Sequence, residues 1–179
     1  MKKMIMLFIL CFSFSFSNTT VWLGLGTSAE YTLDVSSGGY SGSDSADLDD
    51  GGMELGITRM LKQDGKMGMG IGGSYHVTPM GEDGFEAQFL TLYGLGTYAL
   101  SESMNAWFGL GLGIPQGDID DADSGLAISV GVMYNLNEDM MIGLGYTSNS
   151  CSSSDSYYGY DANIDATFTR MTLNFGYRM

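Results

Sequence analysis

From residue 19 to residue 179, stretches of alternating apolar and small or polar residues recur along the chain. Alternation with a period of two places apolar side chains on one face of an extended strand and the others on the opposite face. Eight such stretches predict strands over residues 19–34, 52–61, 67–78, 85–100, 106–114, 125–136, from 140 onward, and 163–179. A membrane-spanning β-strand needs only ~9 to 11 residues. Because lipid cannot satisfy an open sheet edge, the pattern predicts an all-β fold, an eight-stranded antiparallel up-and-down transmembrane β-barrel.

The alternation also predicts which side chains face lipid and which face the lumen. In 67–78, Met69 and Ile71 lie on one face, while Ser74 and His76 lie on the other face with several glycines. An apolar outer face and a small or polar inner face are typical of transmembrane barrels. In the first strand we predict an outward face that includes Ala29 and Tyr31. In the fourth strand the pattern is weaker, and we predict an outward face of Phe85, Ala87, Phe89, Tyr93 and Leu95.

The predicted connections alternate between long and short ones. Residues 35–51, 79–84, 115–124 and 148–162 are predicted loops, whereas 62–66, 101–105 and 137–139 are predicted turns. Transmembrane barrels have short periplasmic turns and longer external loops. The loops are acidic, and the basic residues Arg59, Lys62, Lys66 and Arg178 lie near the turns. The sequence therefore predicts that the acidic loops face outside the cell.

The strand pattern, including the final stretch TFTRMTLNFGYRM, resembles the small outer-membrane β-barrel family of Gram-negative bacteria, the OmpA/OmpX-type eight-stranded barrels. The resemblance covers residues 18–179 and rests on architecture. It implies an outer-membrane location among lipid and lipopolysaccharide, and insertion by the barrel-assembly machinery, which reads a terminal aromatic residue in this family. Here Met179 ends the chain, with Phe175 and Tyr177 on the same face. The alternative is a soluble β-sandwich or secreted barrel, but the glycine-rich faces would give such a protein too little bulk inside.

The first residues predict export. Lys2 and Lys3 precede an apolar run, and small residues follow near Ser17, which is the arrangement of a secretory signal peptide. We predict a cleaved signal peptide over 1–17 and one barrel domain over 18–179, with an uncleaved anchor as the alternative. Cleavage would leave five of the seven basic residues against all 21 acidic residues. Such a surface repels nucleic acid.

Charged residues predicted to face the lumen form the first candidate site: Glu30, Glu54, His76, Glu86 and Arg170. Buried charges are costly unless they pair. An eight-stranded barrel has an interior just wide enough for side chains. We therefore predict a structural network that closes the lumen. The alternative is a gated ion path in which Arg170 changes partners among the glutamates.

Catalytic and metal-binding sites are less well supported. Ser74 and His76 lie two residues apart on one strand face, where both would point away from a lipid substrate, and no catalytic motif of the family is present. The acidic runs 44–50 and 118–123 hold carboxylates of the kind that Ca²⁺ prefers, but neither has the spacing of an EF-hand loop. We predict no catalytic residue, cofactor or dedicated metal site.

Two further loop features bear on function. Cys151 would be the one cysteine left after cleavage of a signal peptide that holds Cys11, which excludes an intramolecular disulfide, and we interpret it as a spare loop residue. The loop NSCSSSDSYYGYDAN carries Tyr157, Tyr158 and Tyr160. Tyrosine-rich and serine-rich loops are typical of contact surfaces, whereas an aromatic girdle at the membrane interface is the alternative.

These observations predict a non-enzymatic integral outer-membrane protein with a structural or surface-interaction role through its acidic loops, its lumen filled by side chains. A low-conductance channel for ions or small solutes is the first alternative. A lipid A-modifying outer-membrane enzyme is the second.

Overall fold

The structure is a computed structural model that describes residues 18–82, 85–157 and 160–179. It contains ten β-strands: β1 Thr19–Ser37, β2 Tyr40–Leu48, β3 Met53–Asp64, β4 Met67–Thr78, β5 Met80–Glu82, β6 Phe85–Ala99, β7 Met104–Gly117, β8 Asp123–Asn135, β9 Met140–Tyr157 and β10 Tyr160–Arg178. In the part of the chain that is described, no helix is long and apolar enough to cross a membrane. The predicted signal peptide, residues 1–17, lies outside the described residues.

Eight of the strands close into a ring in the order β1-β3-β4-β6-β7-β8-β9-β10, and every neighbouring pair is antiparallel. The first and last strands of the ring pair from Thr20 opposite Arg178 to Ser37 opposite Ala162. Closure removes the unpaired edge that lipid would not tolerate. The predicted eight-stranded up-and-down barrel is therefore confirmed.

The remaining strands, β2 and β5, extend the barrel wall at one end. β3 pairs with the first part of β1, up to Leu25, and β2 pairs with its later part, from Ala29 to Ser37. β5 pairs with the start of β6, and Pro79 separates it from β4. We call this end, which also carries the β9–β10 hairpin, the loop end. The other end, where β1 begins and β10 ends, is the turn end.

The predicted bounds of the long loops are wrong, because much of 35–51 and 148–162 is strand. Both faces of β2 are polar and exposed over Tyr40–Ser45. Where a strand leaves the membrane, water surrounds both faces, so the apolar alternation ends although the pairing continues. The periodicity therefore marks the membrane-facing part of each strand and not its full length.

The outside of the ring is apolar. Large hydrophobic side chains between 39 % and 54 % exposed cover it on successive strands, among them Leu55, Ile71, Leu92, Leu110, Leu126, Leu144 and Met171. A continuous apolar belt of this kind on an isolated chain is the surface that lipid covers. The predicted outward faces of β4, β7, β8 and β10 are confirmed by this belt. The fold is a transmembrane β-barrel.

Two predicted faces are wrong. In β1 the pairing register shifts between Gly26 and Ser28, so Thr27 is the extra residue of a β-bulge. A bulge reverses the inward and outward positions that follow it. Ala29 and Tyr31 therefore face the lumen, and Glu30 faces outward. In β6 the odd-numbered residues face inward, including Ala87 and Phe89, which are fully buried.

Candidate functional site

The lumen is filled at the loop end by an apolar cluster, which we call the apolar plug. It consists of Ala29, Leu48, Met80, Ala87, Phe89, Cys151, Ala166 and Phe168. Its centre is the pair Phe89 and Phe168, whose ring centroids are 5.5 Å apart. Phe85 stacks on Phe168 from above at 6.2 Å and 14°. Buried alanines beside large aromatic rings let the plug fill a narrow barrel, because small and large side chains interdigitate.

The plug corrects the prediction for Cys151. This residue lies on β9, opposite Ala166 on β10, and its side chain is buried in the plug. It is therefore a small apolar residue of the core and not a spare loop residue.

Below the plug lies His76, on the inner face of β4. Its ring meets Phe89 edge to face at 6.1 Å and 88°, and the backbone N–H of Phe89 donates to its Nδ1 at 3.2 Å. Its Nε2 is buried and has no hydrogen-bond partner among the described residues. His76 is thus held by β6 as part of the packing beneath the plug.

At the same depth, Arg170 and Glu54 form an ion pair inside the lumen. Nη2 of Arg170 donates to Oε2 of Glu54. The guanidinium also donates through Nε to Oγ1 of Thr147 at 3.1 Å and through Nη1 to the backbone oxygen of Gly51 at 3.3 Å. The two side chains are 1 % and 5 % exposed. Such a pair is tolerated because each charge has a partner and additional hydrogen bonds.

The structure brings together only part of the predicted charge network. Glu54, His76 and Arg170 face the lumen, whereas Glu30 and Glu86 are exposed on the outside. The bulge at Thr27 turns Glu30 outward. Glu86 is the second residue of β6, at the loop end, and its side chain is exposed. Its backbone N–H donates to Oδ2 of Asp118. The prediction was wrong for these two residues.

Toward the turn end, the lumen is open. A cavity of about 470 Å³ extends from Glu54, Thr91 and Asn149 at its inner end to the rim of the barrel. Its wall carries the rings of Trp22, Tyr93 and Trp107. From the sequence we predicted no role for Trp22, Trp107 or Phe168, and we placed Tyr93, Phe85 and Phe89 on the outward face of the fourth strand. Strand alternation places Trp22 on the same face as Gly24, and Phe168 on the same face as Arg170. This alternation could have identified Trp22 and Phe168 as inward-facing residues.

The geometry gives little support to the other candidate sites. Ser74 and His76 are both buried in the lumen. In the described ranges no group of three or more His, Cys, Asp or Glu side chains is arranged to hold a metal ion. Of the tyrosine-rich loop, Tyr158 lies outside the described residues, and the side chains of Tyr157 and Tyr160 are not described.

Neither a protein-family model nor a curated protein matches this sequence. Solved structures with a similar strand arrangement include the outer membrane protease OmpT from Escherichia coli, at 12% identity over 94% of this chain and 99% of that one, with a TM-score of 0.48. The outer membrane protein OprG from Pseudomonas aeruginosa is 15% identical over 91% of this chain and 97% of that one, with a TM-score of 0.47. Neisserial surface protein A is 12% identical over 91% of this chain and 98% of that one, with a TM-score of 0.46.

Likenesses at this level carry no information about activity, and the named proteins differ from one another in role. The assignment of fold rests on the chain's own strand pairing, which closes through β1 and β10, and on its apolar exterior. The chain therefore folds as a small eight-stranded transmembrane β-barrel.

Proposed function

We propose that this chain is a non-enzymatic outer-membrane protein that acts at the cell surface through the acidic end of its barrel and does not conduct solutes. The observation that carries the proposal is the closed loop-end half of the lumen. There Phe89, Phe168 and Met80 are at most 1 % exposed, and the Glu54–Arg170 pair lies directly below them. A barrel filled in this way has no continuous water path.

The surface available for contact is the wall that rises above the membrane. β2, β1, β10 and β9 pair side by side at the loop end, and carboxylates are exposed along this sheet at Glu30, Asp34, Asp44, Asp47 and Asp165. Tyr40, at the tip of the β1–β2 hairpin, is 85% exposed. Dense negative charge on a rigid sheet favours a positively charged partner.

The orientation follows from the two ends of the barrel. The turn end carries Arg59, Lys62, Lys66 and Arg178 on or beside short turns, whereas the acidic strands extend at the opposite end. Short periplasmic turns and longer external segments are typical of bacterial barrels. The loop end therefore faces outside the cell in this proposal.

Single-channel recording on refolded protein tests the closed lumen. The wild-type barrel is expected to show no steady conductance steps. Replacing both plug rings, as Phe89→Ala with Phe168→Ala, should open small steps, because it removes the largest side chains of the plug. Phe108→Ala with Phe175→Ala, two substitutions on the lipid-facing side, is the matched control and should stay silent. Steady ohmic steps from the wild-type protein that are lost in Arg170→Met would contradict the proposal.

A low-conductance channel is the second candidate, and one observation favours it. The cavity already opens the turn-end half of the lumen, so that only the plug and the ion pair separate it from the loop end. The recording described above decides between the two functions.

The proposal assigns no catalytic role to His76. The Nδ1 atom of this residue accepts a hydrogen bond from the backbone of Phe89, and a general base for lipid chemistry would have to reach a substrate outside the barrel wall. Incubation of the refolded protein with lipid A, followed by mass spectrometry, should give no product. A product that disappears in His76→Gln would require the enzyme interpretation.

Binding of a lysine-rich probe such as polylysine tests the surface role. The reconstituted barrel should bind it at low salt and release it at high salt. Replacing the five exposed carboxylates by their amides should weaken binding, whereas amide replacement of Asp64 and Glu102 at the turn end should not. Equal binding by both variants would contradict a role for the acidic sheet.

A further inference from the structure

The cavity at the turn end is walled by aromatic rings that lie flat over glycines. Trp107 on β7 faces Gly131 on β8 across the strand pair, and Gly131 faces Gly145 on β9. A Cβ atom on Gly131 would lie 2.7 Å from Cε2 of the indole, and one on Gly145 would lie 3.1 Å from Cζ2. The indole therefore extends along the wall over two neighbouring strands. It does not point across the lumen.

Trp22 and Tyr93 also lie against glycines on neighbouring strands. Trp22 on β1 pairs with Gly56 on one side and with Gly176 on the other, and a Cβ on Gly56 would collide with its indole. Tyr93 on β6 pairs with Gly72 and Gly111. A Cβ on Gly72 would lie 2.6 Å from Cε2 of its ring. In each case glycine makes room for the ring against the wall, and the middle of the barrel stays open.

Between the rings, uncharged hydrogen-bonding groups line the cavity together with apolar side chains such as Met133 and Met141. Threonines such as Thr58 and Thr97 and amides such as Asn105, Asn135 and Asn174 face it. Glu54 is the charged residue at its inner end, and Arg170 neutralises it. Glu102 and Arg178 lie at the rim. A charged ligand would therefore find no unpaired counter-charge inside among the described residues.

We propose that this cavity binds an uncharged sugar of one or two rings that enters from the turn end. A sugar ring has an apolar C–H face that packs on an aromatic ring and hydroxyl groups at its edge that bind amides and hydroxyls. A cavity of about 470 Å³ lies within the size range of small-molecule sites, about 300–1,000 Å³. The plug closes the inner end, so the ligand is held in a blind site and is not conducted.

The chain offers an internal reporter for this site. Both of its tryptophans, Trp22 and Trp107, line the cavity, so selective excitation of tryptophan reports on the cavity alone. The full-length protein is placed in lipid nanodiscs without glycoside detergents, whose head groups would compete, and maltose is the probe. The expected result is a saturable change in tryptophan emission.

Tyr93→Ala removes one ring of the wall and keeps both reporters. It should weaken maltose binding by about tenfold or more, because a buried aromatic side chain contributes much of the affinity of a small site. Tyr146→Ala is the matched control, because Tyr146 faces outward and is 44% exposed, and it should bind as the wild type does. Asn105→Leu, which removes an amide at nearly constant volume, is the second variant and should also weaken binding.

Three outcomes would overturn the proposal. The first is the absence of a saturable response of the wild type to maltose. The second is a saturable response to indole without one to maltose, which would make the cavity a site for apolar molecules. The third is a maltose response that is unchanged in both Tyr93→Ala and Asn105→Leu. The conductance recording does not depend on the maltose titration. A failure of the sugar-site proposal can therefore be distinguished from a failure of the proposal that the lumen is closed.

Discussion

Arg170 on β10 donates a hydrogen bond to the carboxylate of Glu54 on β3, and β1 lies between these two strands in the barrel wall. The pair therefore spans the seam at which the first and last strands of the ring meet. Its remaining hydrogen bonds, to Thr147 on β9 and to the backbone of Gly51, extend the link on both sides of that seam. The ion pair thus links β3 and β10 across β1, where the ring closes.

Removing one partner of this pair should destabilise the barrel strongly. Arg170→Met leaves the Glu54 carboxylate buried without a cation, and losses of about 3–5 kcal/mol are typical of such changes. The double variant Arg170→Met/Glu54→Gln should regain much of the loss, because no charge remains to be desolvated. Urea unfolding of the protein in lipid vesicles measures both values. Lys62→Met is the control, because its contact with Asp64 at 4.0 Å is exposed and should contribute little.

Gly26 lies in β1 between the residues that pair with β3 and the residues that pair with β2, and the structure requires glycine at this position. Its backbone N–H donates to the oxygen of Gly52 at 2.8 Å, and a Cβ atom there would collide with the backbone of Gly51. Gly26→Ala should therefore cost about 1–3 kcal/mol of unfolding free energy, as overpacked sites do. Gly42→Ala is the matched control, since a Cβ at that position meets nothing within 4 Å. Equal stability of the two variants would show that the backbones do not approach as described.

A charge on the outer face should be costly only within the membrane. Leu110, near the middle of β7, is 49% exposed on the apolar belt, and arginine at the bilayer midplane of a barrel costs about 2–4 kcal/mol. Leu110→Arg should lose that amount in vesicle unfolding experiments. Tyr40→Arg, at the tip of the loop-end hairpin, should lose almost nothing. If Leu110→Arg left the free energy of unfolding unchanged, this face of the barrel would lie in water and not in lipid.

The reversal of faces in β1 can be read by cysteine labelling. In a Cys11→Ser/Cys151→Ser background, Glu30→Cys should react with a water-soluble maleimide, because Glu30 is exposed on the outer side of β1. Ala29→Cys should stay unreactive in the folded barrel, because Ala29 is 5% exposed and belongs to the plug. The opposite pattern would mean that β1 continues without the bulge at Thr27.

The eight strands of the ring and most of their faces could be predicted from the sequence, because alternation is strong wherever one face meets lipid, whereas β2 and β5 fell in predicted loops. Leu110 and Gly109, or Met69 and Gly68, differ enough to fix the face of a strand. The bulge at Thr27 could not be predicted, because it appears only in the pairing register of β1 with β10. The face of β6 was missed because Leu90 and Leu92 share parity with Glu86 and Gln88, and Phe89 is needed inside to fill the plug.

Only part of the candidate site could be predicted from the sequence. Pairing of Arg170 with a glutamate follows from the cost of a buried charge, but the choice of Glu54 over Glu30 and Glu86 depends on strand register. The flat rings of Trp22 and Trp107 require knowing which glycine lies opposite each of them. Such cross-strand relationships are set by the register of the whole ring.

The lipid-facing exterior requires that the folded barrel insert into a bilayer, and reconstitution measures this insertion. Refolded protein is mixed with liposomes, floated through a density gradient, washed with carbonate, and run on gels with and without boiling. The protein is expected to float with the lipid, to resist extraction, and to migrate differently when unboiled, because the closed barrel stays folded in detergent. Recovery of a soluble folded monomer without detergent would show that the apolar exterior does not face lipid.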